Sequence, residues 1–404
     1  MDKEIAEPAR ARPRDRRLQI AKNAGELFSA RGFHSVRMDD IAEASGITAR
    51  ALYRHYENKQ ALLAHVVLED QQRMIETLTE LTVKPAEERD LDDSLTALTE
   101  AALESRRLSL LWQREARHLG ADDYRRVRAQ TRWIANQFEA LLIKSEYADL
   151  GDAAADIRSW VLMSLLSSHG HYEHALSRQR ITRELIAASK RVLAEPAAVP
   201  GAEAGDDGVA RTSGSRREQL ISSAANAFRH HGYAGVSIDD IGSEIGVVGP
   251  ALYRYFDNKA DILVAAVMRL QEWQALEMTR AMRTARSDEC VLAALVEGYL
   301  RVALEATDLL AVSLTERLYL PEPVNERFDR IRADYLGEWQ RWMAVTRPEV
   351  PEALAAVLVN TAKTIVDDCV RIPHLREYPN FAAELTSAAF ATLGLDRVGQ
   401  REKT

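Results

Sequence analysis

The chain has 404 residues, 46% hydrophobic and 28% charged, a balance that suits two or three soluble globular domains rather than one core or a disordered chain. Its first residues, MDKEIAEPARARPRDRR, lack the apolar segment of a secretory signal, and no run of about 18 apolar residues offers a membrane span. The net charge of −8 argues against a uniformly nucleic-acid-binding surface, and two cysteines, Cys290 and Cys369, exclude a disulfide framework and read as buried thiols in a reducing cytoplasm.

Charge is segregated along the chain. Residues 10–59 carry eleven Lys/Arg against six Asp/Glu, a local +5 suited to a DNA-contacting module. Residues 1–15 read as a flexible basic arm. The run RARPRDRR over 10–17 is either a solvated tail or an arm that follows the minor groove or the backbone. From residue 16 the apolar positions Ile20, Ala21, Ala24, Leu27 and Phe28 mark one face of a helix that stops at Gly32. A short helix over 38–45 ends at Gly46, Thr48 caps a helix over 49–55, and Asn58 caps a longer one over 59–81. Two short helices joined through a glycine that can take positive φ form a helix-turn-helix pattern. Ile41, Ile47 and Leu52 would hold the pair together. Thr48, Arg50, Tyr53, Arg54 and His55 would face outward, where a helix can enter a major groove about 12 Å wide.

Residues 68–194 follow as long amphipathic helices, predicted over 94–118, 123–146, 152–176 and 180–194. Residues 195–215 are rich in Ala, Gly, Pro, Ser and Asp and read as a linker. Residues 216–267 then repeat 16–67 without a gap, with nineteen identities in 52 pairs. A repeat of this length implies a duplicated domain or protomer, not a solenoid. In the second copy Ser237 is the cap of the second helix and Pro250 stands in the first turn of the third. Residues 211–259 carry six Lys/Arg against five Asp/Glu, so the copies are unequal in charge. Residues 268–395 predict helices over 288–306, 325–346, 351–372 and 379–393, before a tail over 396–404. No segment alternates like a strand, and the expected class is all-α.

The segments AKNAGELFSARGF, RMDDIAEASGIT and ARALYRHYENKQALL resemble the DNA-binding unit of the TetR family of bacterial transcriptional regulators. So does ANAFRHHGYAGVSIDDIGSEIGVVGPALYRYFDNKADIL in the second copy. The resemblance covers about 50 residues in each half. The plan is similar to the tandem-repeat TetR regulators of actinobacteria, including a type that controls a mammalian-cell-entry lipid-import operon in mycobacteria. The resemblance implies two TetR-like units in one chain, each a three-helix DNA-binding domain plus a helical bundle, arranged as an intramolecular pseudo-dimer. It assigns phosphate contacts to Tyr53, Lys59, Tyr253 and Lys259. It assigns base or backbone contacts to Thr48, Ala49, Arg50, Arg54 and His55, with Val248, Gly249, Pro250, Arg254 and Tyr255 as counterparts. Arg37 occupies the position of Ser237 and is a candidate phosphate contact. With Pro250 for Arg50 and Val248 for Thr48, the second unit either reads shape and thymine methyls or mostly anchors.

The resemblance also implies an effector pocket in each bundle, with aromatic candidates Trp112, Trp133, Phe138, Trp160, Trp273, Tyr299, Tyr319, Trp339 and Trp342, although aromatic residues on helices serve cores as readily. Few buried charges are expected there, which favours an apolar effector such as a lipid or sterol. In HGHYEH at 169–174, His171 and His174 share a helix face, but no partner motif with metal-ligand spacing is present; no metal and no cofactor are expected. No phosphate loop, zincin motif or nucleophile elbow points to an enzyme. The expected function is a cytoplasmic, operator-binding repressor, a monomer that mimics a homodimer or assembles further, its halves joined through the last two helices of each. The alternative is a helical ligand sensor or adaptor with one active DNA-binding unit.

Overall fold

The computed structural model describes residues 13–85, 88–105, 111, 114–143, 150–199, 214–247 and 249–395. Among them lie sixteen α-helices and no strand. Helix α1 (Pro13–Arg31), α2 (Met38–Ala44) and α3 (Ala49–His55) form a first head, and α4 (Lys59–Val83) leads out of it. Ile20, Ala24 and Phe28 of α1, Ile41 of α2, Leu52 of α3 and Leu62 of α4 are all fully buried in one core. The caps stand where the sequence places them. Thr48 Oγ1 accepts from the Ala51 amide at 3.2 Å, and Asn58 Oδ1 accepts from the Ala61 amide at 2.8 Å. Helix α1 begins at Pro13, so the end of the expected flexible arm is helical; residues 1–12 lie outside the described residues.

The first bundle follows as α5 (Leu91–Glu104), α6 (Ala121–Phe138), α7 (Asp152–Ser167) and α8 (Arg178–Ala194). The second head is α9 (Arg216–His231), α10 (Ile238–Glu244) and a 3-10 segment, Gly249–Arg254, and α11 (Lys259–Thr284) leads out of it. The second bundle is α12 (Val291–Glu305), α13 (Thr307–Thr315), α14 (Glu322–Thr346), α15 (Glu352–Cys369) and α16 (Phe381–Leu393).

Two chain breaks stand out: the first interrupts the helix expected over 94–118, and the second falls where the helix expected over 288–306 ends. The backbone leaves helical geometry at Ser105 (φ −99, ψ 56) and at Ala306 (φ −116, ψ 41), with neither Gly nor Pro at either place. Beyond these breaks the chain turns under the heads. Leu111, Ala116 and Leu119 join the core of the first head, and Val312 and Leu320 join that of the second. Burial of those side chains, about 1.5–3 kcal/mol for each large one, decides the break against local helix preference.

The two bundles share a single hydrophobic core that runs from Met74 to Leu395. Helix α15 packs along α7, and α16 along α7 and α8. This is the four-helix contact expected from the sequence. It also contains polar links between the halves. The buried Arg158 guanidinium donates to Glu384 at 3.1 Å, Arg191 donates to the carbonyls of Ala391 (2.7 Å) and Thr392 (2.9 Å), and Ser164 donates to Asp368 at 2.7 Å. The start of the expected linker is tied into this contact, because the Arg158 guanidinium also donates to the carbonyls of Glu195 (2.7 Å) and Pro196 (3.0 Å). Residues 200–213 and 396–404 lie outside the described residues. The two cysteines differ: Cys369 is fully buried, whereas Cys290 is exposed, contrary to the expectation of two buried thiols.

Candidate nucleic-acid interface

Each head presents its third segment outward from a glycine-hinged turn. Gly46 (φ 62) and Gly246 (φ 69) take the left-handed conformation that an L side chain disfavours. On the first head Arg37, Thr48, Arg50, Tyr53 and Arg54 are exposed, and Ala49 and His55 are half-buried. On the second, Ser237, Tyr253, Arg254 and Tyr255 are exposed, the two motif tyrosines Tyr53 and Tyr253 equally so at 53%. Val248 lies outside the described residues, and Gly249 and Pro250 open the 3-10 segment.

The third segment is therefore α-helical in the first head and 3-10 in the second, where the sequence predicts a helix in both. Gly249 and Pro250 replace Ala49 and Arg50, and Val248 replaces the capping Thr48, so helix propensity and the cap are both lost. Gly242 stands where the first head has Ala42. A Cβ there would lie 2.3 Å from both Leu252 Cδ1 and the Val247 carbonyl, so the second head closes more tightly around a missing methyl. The α2 and α10 starts diverge as well. Ser237 accepts from the Asp240 amide while Asp240 accepts from the Ser237 amide, a complete capping box. Arg37 has only donors, so α2 retains just the return bond from its own amide to Asp40 at 2.8 Å.

Lys59 and Lys259 fold back onto their own heads. Lys59 Nζ donates to the carbonyls of Phe33 (2.7 Å) and Val36 (2.8 Å) and lies 4.3 Å from the Phe33 ring centroid. Lys259 Nζ does the same with Tyr233 (2.7 Å), Val236 (2.7 Å) and the Tyr233 ring (4.2 Å). Both ammonium groups close the loop after the first helix of the head, and burial lowers the pKa of each. Each lysine thus has a structural role within its head, with two of its three N–H donors engaged by the loop carbonyls.

Each head rests on a buried glutamate. Glu115 accepts from the Phe33 amide at 3.3 Å, and Glu316 accepts from the Tyr233 amide at 3.0 Å. Arg114 donates to the carbonyls of Phe28 (2.6 Å) and Ser29 (2.8 Å) at the end of α1. Arg117 crosses between the halves to pair with Glu316. His118 stacks on Phe33 at 5.0 Å, as Tyr319 stacks on Tyr233 at 5.0 Å. Burial, then the cations Arg117, His34 and Lys59, push the His118 pKa down to about 3. Glu115, 3.7 Å away, does not reverse this, because its carboxylate is already held by Arg114 and the Phe33 amide. An unfolded His titrates near 6.5, so the unfolded chain takes up a proton that the folded chain refuses. The stability from a neutral His118 is complete above about pH 6.5 and is lost as pH falls toward about 3. His118→Phe is expected to flatten the acid limb of a pH series of denaturant unfolding curves; superimposable limbs would contradict this.

The bundles enclose two cavities, of about 330 Å³ and about 710 Å³. Phe138 and Trp160 line the first. The other aromatic candidates do not converge. Trp133 and Trp273 are exposed, Tyr299 and Trp339 are core residues packed edge-to-face at 5.8 Å, Trp342 lies under Arg341, and Tyr319 sits at the head junction. Trp112 lies outside the described residues. Buried charges are present after all: Lys363, Asp367 and Asp368, each under a tenth exposed, line the second cavity, and Asp368 lines the first as well, with Arg117, Arg229 and Arg371. In the histidine-rich segment His169 Nδ1 meets the Leu166 carbonyl and His171 faces the second cavity; no group of three metal-ligating residues occurs among the described residues. No described helix is long and apolar enough to cross a membrane.

Residues 20–66 and 220–266 each match the family described as bacterial regulatory proteins, tetR family. The HTH-type transcriptional regulator UidR of Escherichia coli K12 is 39% identical over 59 residues, 15% of this chain and 30% of that protein. The HTH-type transcriptional activator FasR of Mycolicibacterium smegmatis is 31% identical over 84 residues, 21% of this chain and 38% of that protein. The chain thus spans well under half the length of both relatives. A TetR-family transcriptional regulator from Bordetella parapertussis aligns over 44% of this chain and 95% of its own, at 19% identity and a TM-score of 0.39. The two matched segments coincide with the two heads, so each head matches the family of bacterial regulatory proteins, tetR family.

Proposed function

We propose that this chain is a DNA-binding transcriptional repressor that docks both heads on one operator and is released by a small-molecule effector held in the bundles. The observation that carries this reading is the pair of register-matched heads, each with an exposed third segment and an exposed motif tyrosine, joined through one core. The chain acts as a monomer with the geometry of a dimer, in the cytoplasm and without enzymatic activity. Tyr53 and Tyr253 contact phosphates; Arg50, Arg54 and His55 read base edges, with Thr48, Ala49 and Arg37 toward the backbone. The second head uses Tyr253, Arg254, Tyr255 and Ser237 chiefly to anchor, since its third segment is 3-10 and lacks a counterpart to Arg50. The first cavity, lined by Phe138, Trp160 and Met163, takes an apolar effector. Domain limits follow the heads, 16–67 and 216–267, and the bundles, 68–194 and 268–395. The released form is the one whose head spacing misfits the operator, so operator DNA weakens effector binding to the same extent.

Selection of bound fragments from random duplex DNA tests the reading. The expected result is an asymmetric site, one half-site of strong sequence and one weak, bound one chain to one duplex by light scattering. Failure to enrich any sequence, or a palindrome bound by two chains, would overturn it. A second reading, in which only the first head binds DNA, rests on the 3-10 segment and predicts a single half-site unaffected by Tyr253→Ala.

A further inference from the structure

The two cavities are related by the duplication, but their walls have diverged in polarity. Gln71 lines the first and Gln271 the second at matching positions 200 apart. Elsewhere the pairs differ. Met74, Trp160, Met163 and Ser167 of the first cavity are matched 200 positions on by Gln274, Asn360, Lys363 and Asp367 of the second. Gln71 Nε2 donates to Thr131 at 2.8 Å, while its Oε1, like that of Gln271, is buried without a donor among the described residues. Counted from the starts of α6 and α14, the residue matching Thr131 is Arg332, which lines the second cavity.

Gln271 Oε1 and the Arg332 guanidinium in that second cavity have no hydrogen-bond partner among the described residues. Gln271 is 6% exposed, and its Oε1 is buried with no hydrogen-bond donor. An unsatisfied buried carbonyl costs about 1–3 kcal/mol, so a native cavity that keeps one needs a reason. Arg332 is half-buried and has no carboxylate or carbonyl within bonding distance among the described residues. The other cations of the wall are engaged: Lys363 with Asp367 at 2.6 Å, Arg371 with Asp368 at 3.0 Å, and Arg317 with Asp329 at 2.6 Å. The same cavity is also lined by the apolar side chains of Leu270, Met278 and Leu310.

We propose that the second cavity binds an amphipathic anion. Its carboxylate or similar acid group pairs with Arg332, a neighbouring donor satisfies Gln271 Oε1, and its apolar body lies along Leu270, Met278 and Leu310. A guanidinium and a carboxylate suit each other in charge and in bidentate geometry, and a partly buried site screens them little. The proposal rests on the reading of the bundles as effector-binding, and it assigns the two cavities different ligands.

The test uses the full chain and two probes of equal length, dodecanoate and dodecan-1-ol, titrated by calorimetry against wild type, Arg332→Gln and Gln271→Leu. Thermal unfolding confirms that each variant is folded. Dodecanoate is expected to bind wild type at least about 10-fold more tightly than the alcohol, and Arg332→Gln to remove that preference while leaving the alcohol unchanged. Gln271→Leu is expected to weaken neither the fold nor the carboxylate preference, since it removes the orphaned carbonyl and spares Arg332. Equal binding of both probes, or a preference that survives Arg332→Gln, overturns the proposal. A gel shift with the selected duplex keeps the two readings apart. Dodecanoate that binds through Arg332 without weakening the DNA complex supports the anion site and sinks effector release. DNA binding with no dodecanoate binding leaves the repressor reading intact and sinks the anion site.

Discussion

Arg158→Ala is expected to cost about 3–5 kcal/mol of unfolding free energy, the largest loss from any single change at the contact between the halves. Its guanidinium side chain is 2% exposed and pairs with a Glu384 side chain that is 1% exposed. Removing it leaves that carboxylate buried in the shared core and strips donors from the carbonyls of Glu195 and Pro196. The cost comes from the uncompensated charge, not from the net strength of the pair, since a buried ion pair is often no better than apolar packing. The double variant Arg158→Met with Glu384→Leu is therefore expected to recover most of the loss. Denaturant unfolding at neutral pH measures both. A single variant as stable as wild type, or a double variant no better than the single, would contradict the account.

The second large effect is on specificity. Arg50→Ala is expected to reduce discrimination at its base pair by about 1–3 kcal/mol while total affinity for unrelated duplexes changes little, because a bidentate guanidinium reads guanine and a methyl does not. Competition binding across single-base operator variants measures it. Lys59→Met supplies the contrast. With two carbonyls and a ring as its partners, Lys59 is expected to affect the stability of the first head by about 2 kcal/mol, through the lost charged hydrogen bonds, and to leave the salt slope of DNA binding unchanged. A fully stable Lys59→Met with a slope lower by about one would instead mark it as a phosphate contact.

Lys59 shows where sequence reasoning stopped. The recurrence of Asn-Lys in both copies was visible, but a lysine beside an exposed motif looks the same whether its ammonium turns outward or back under a loop. The 3-10 form of the second recognition segment was half-visible: Gly249 and Pro250 marked weak helix propensity, whereas the role of Gly242 depended on how closely Leu252 approaches it. The aromatic candidates divide in the structure: Phe138 and Trp160 line the first cavity, whereas Trp339, at the place in α14 that matches Phe138 in α6, packs edge-to-face against Tyr299.

By itself the sequence determined the duplication, the all-helical class, the two glycine-hinged heads with their caps, and the divergence between TAR at 48–50 and VGP at 248–250. These are set by period, propensity and cap chemistry within a few neighbouring residues. Only the tertiary structure decided that the halves share one core, that Arg117 and Glu316 join the heads from opposite halves, that the chain breaks at Ser105, and that Arg332 lines a cavity with no carboxylate partner among the described residues. Each of those depends on atoms far apart in sequence, from about eighty residues between Glu115 and Phe33 to about two hundred between Arg117 and Glu316, where burial and charge pairing outweigh local preference.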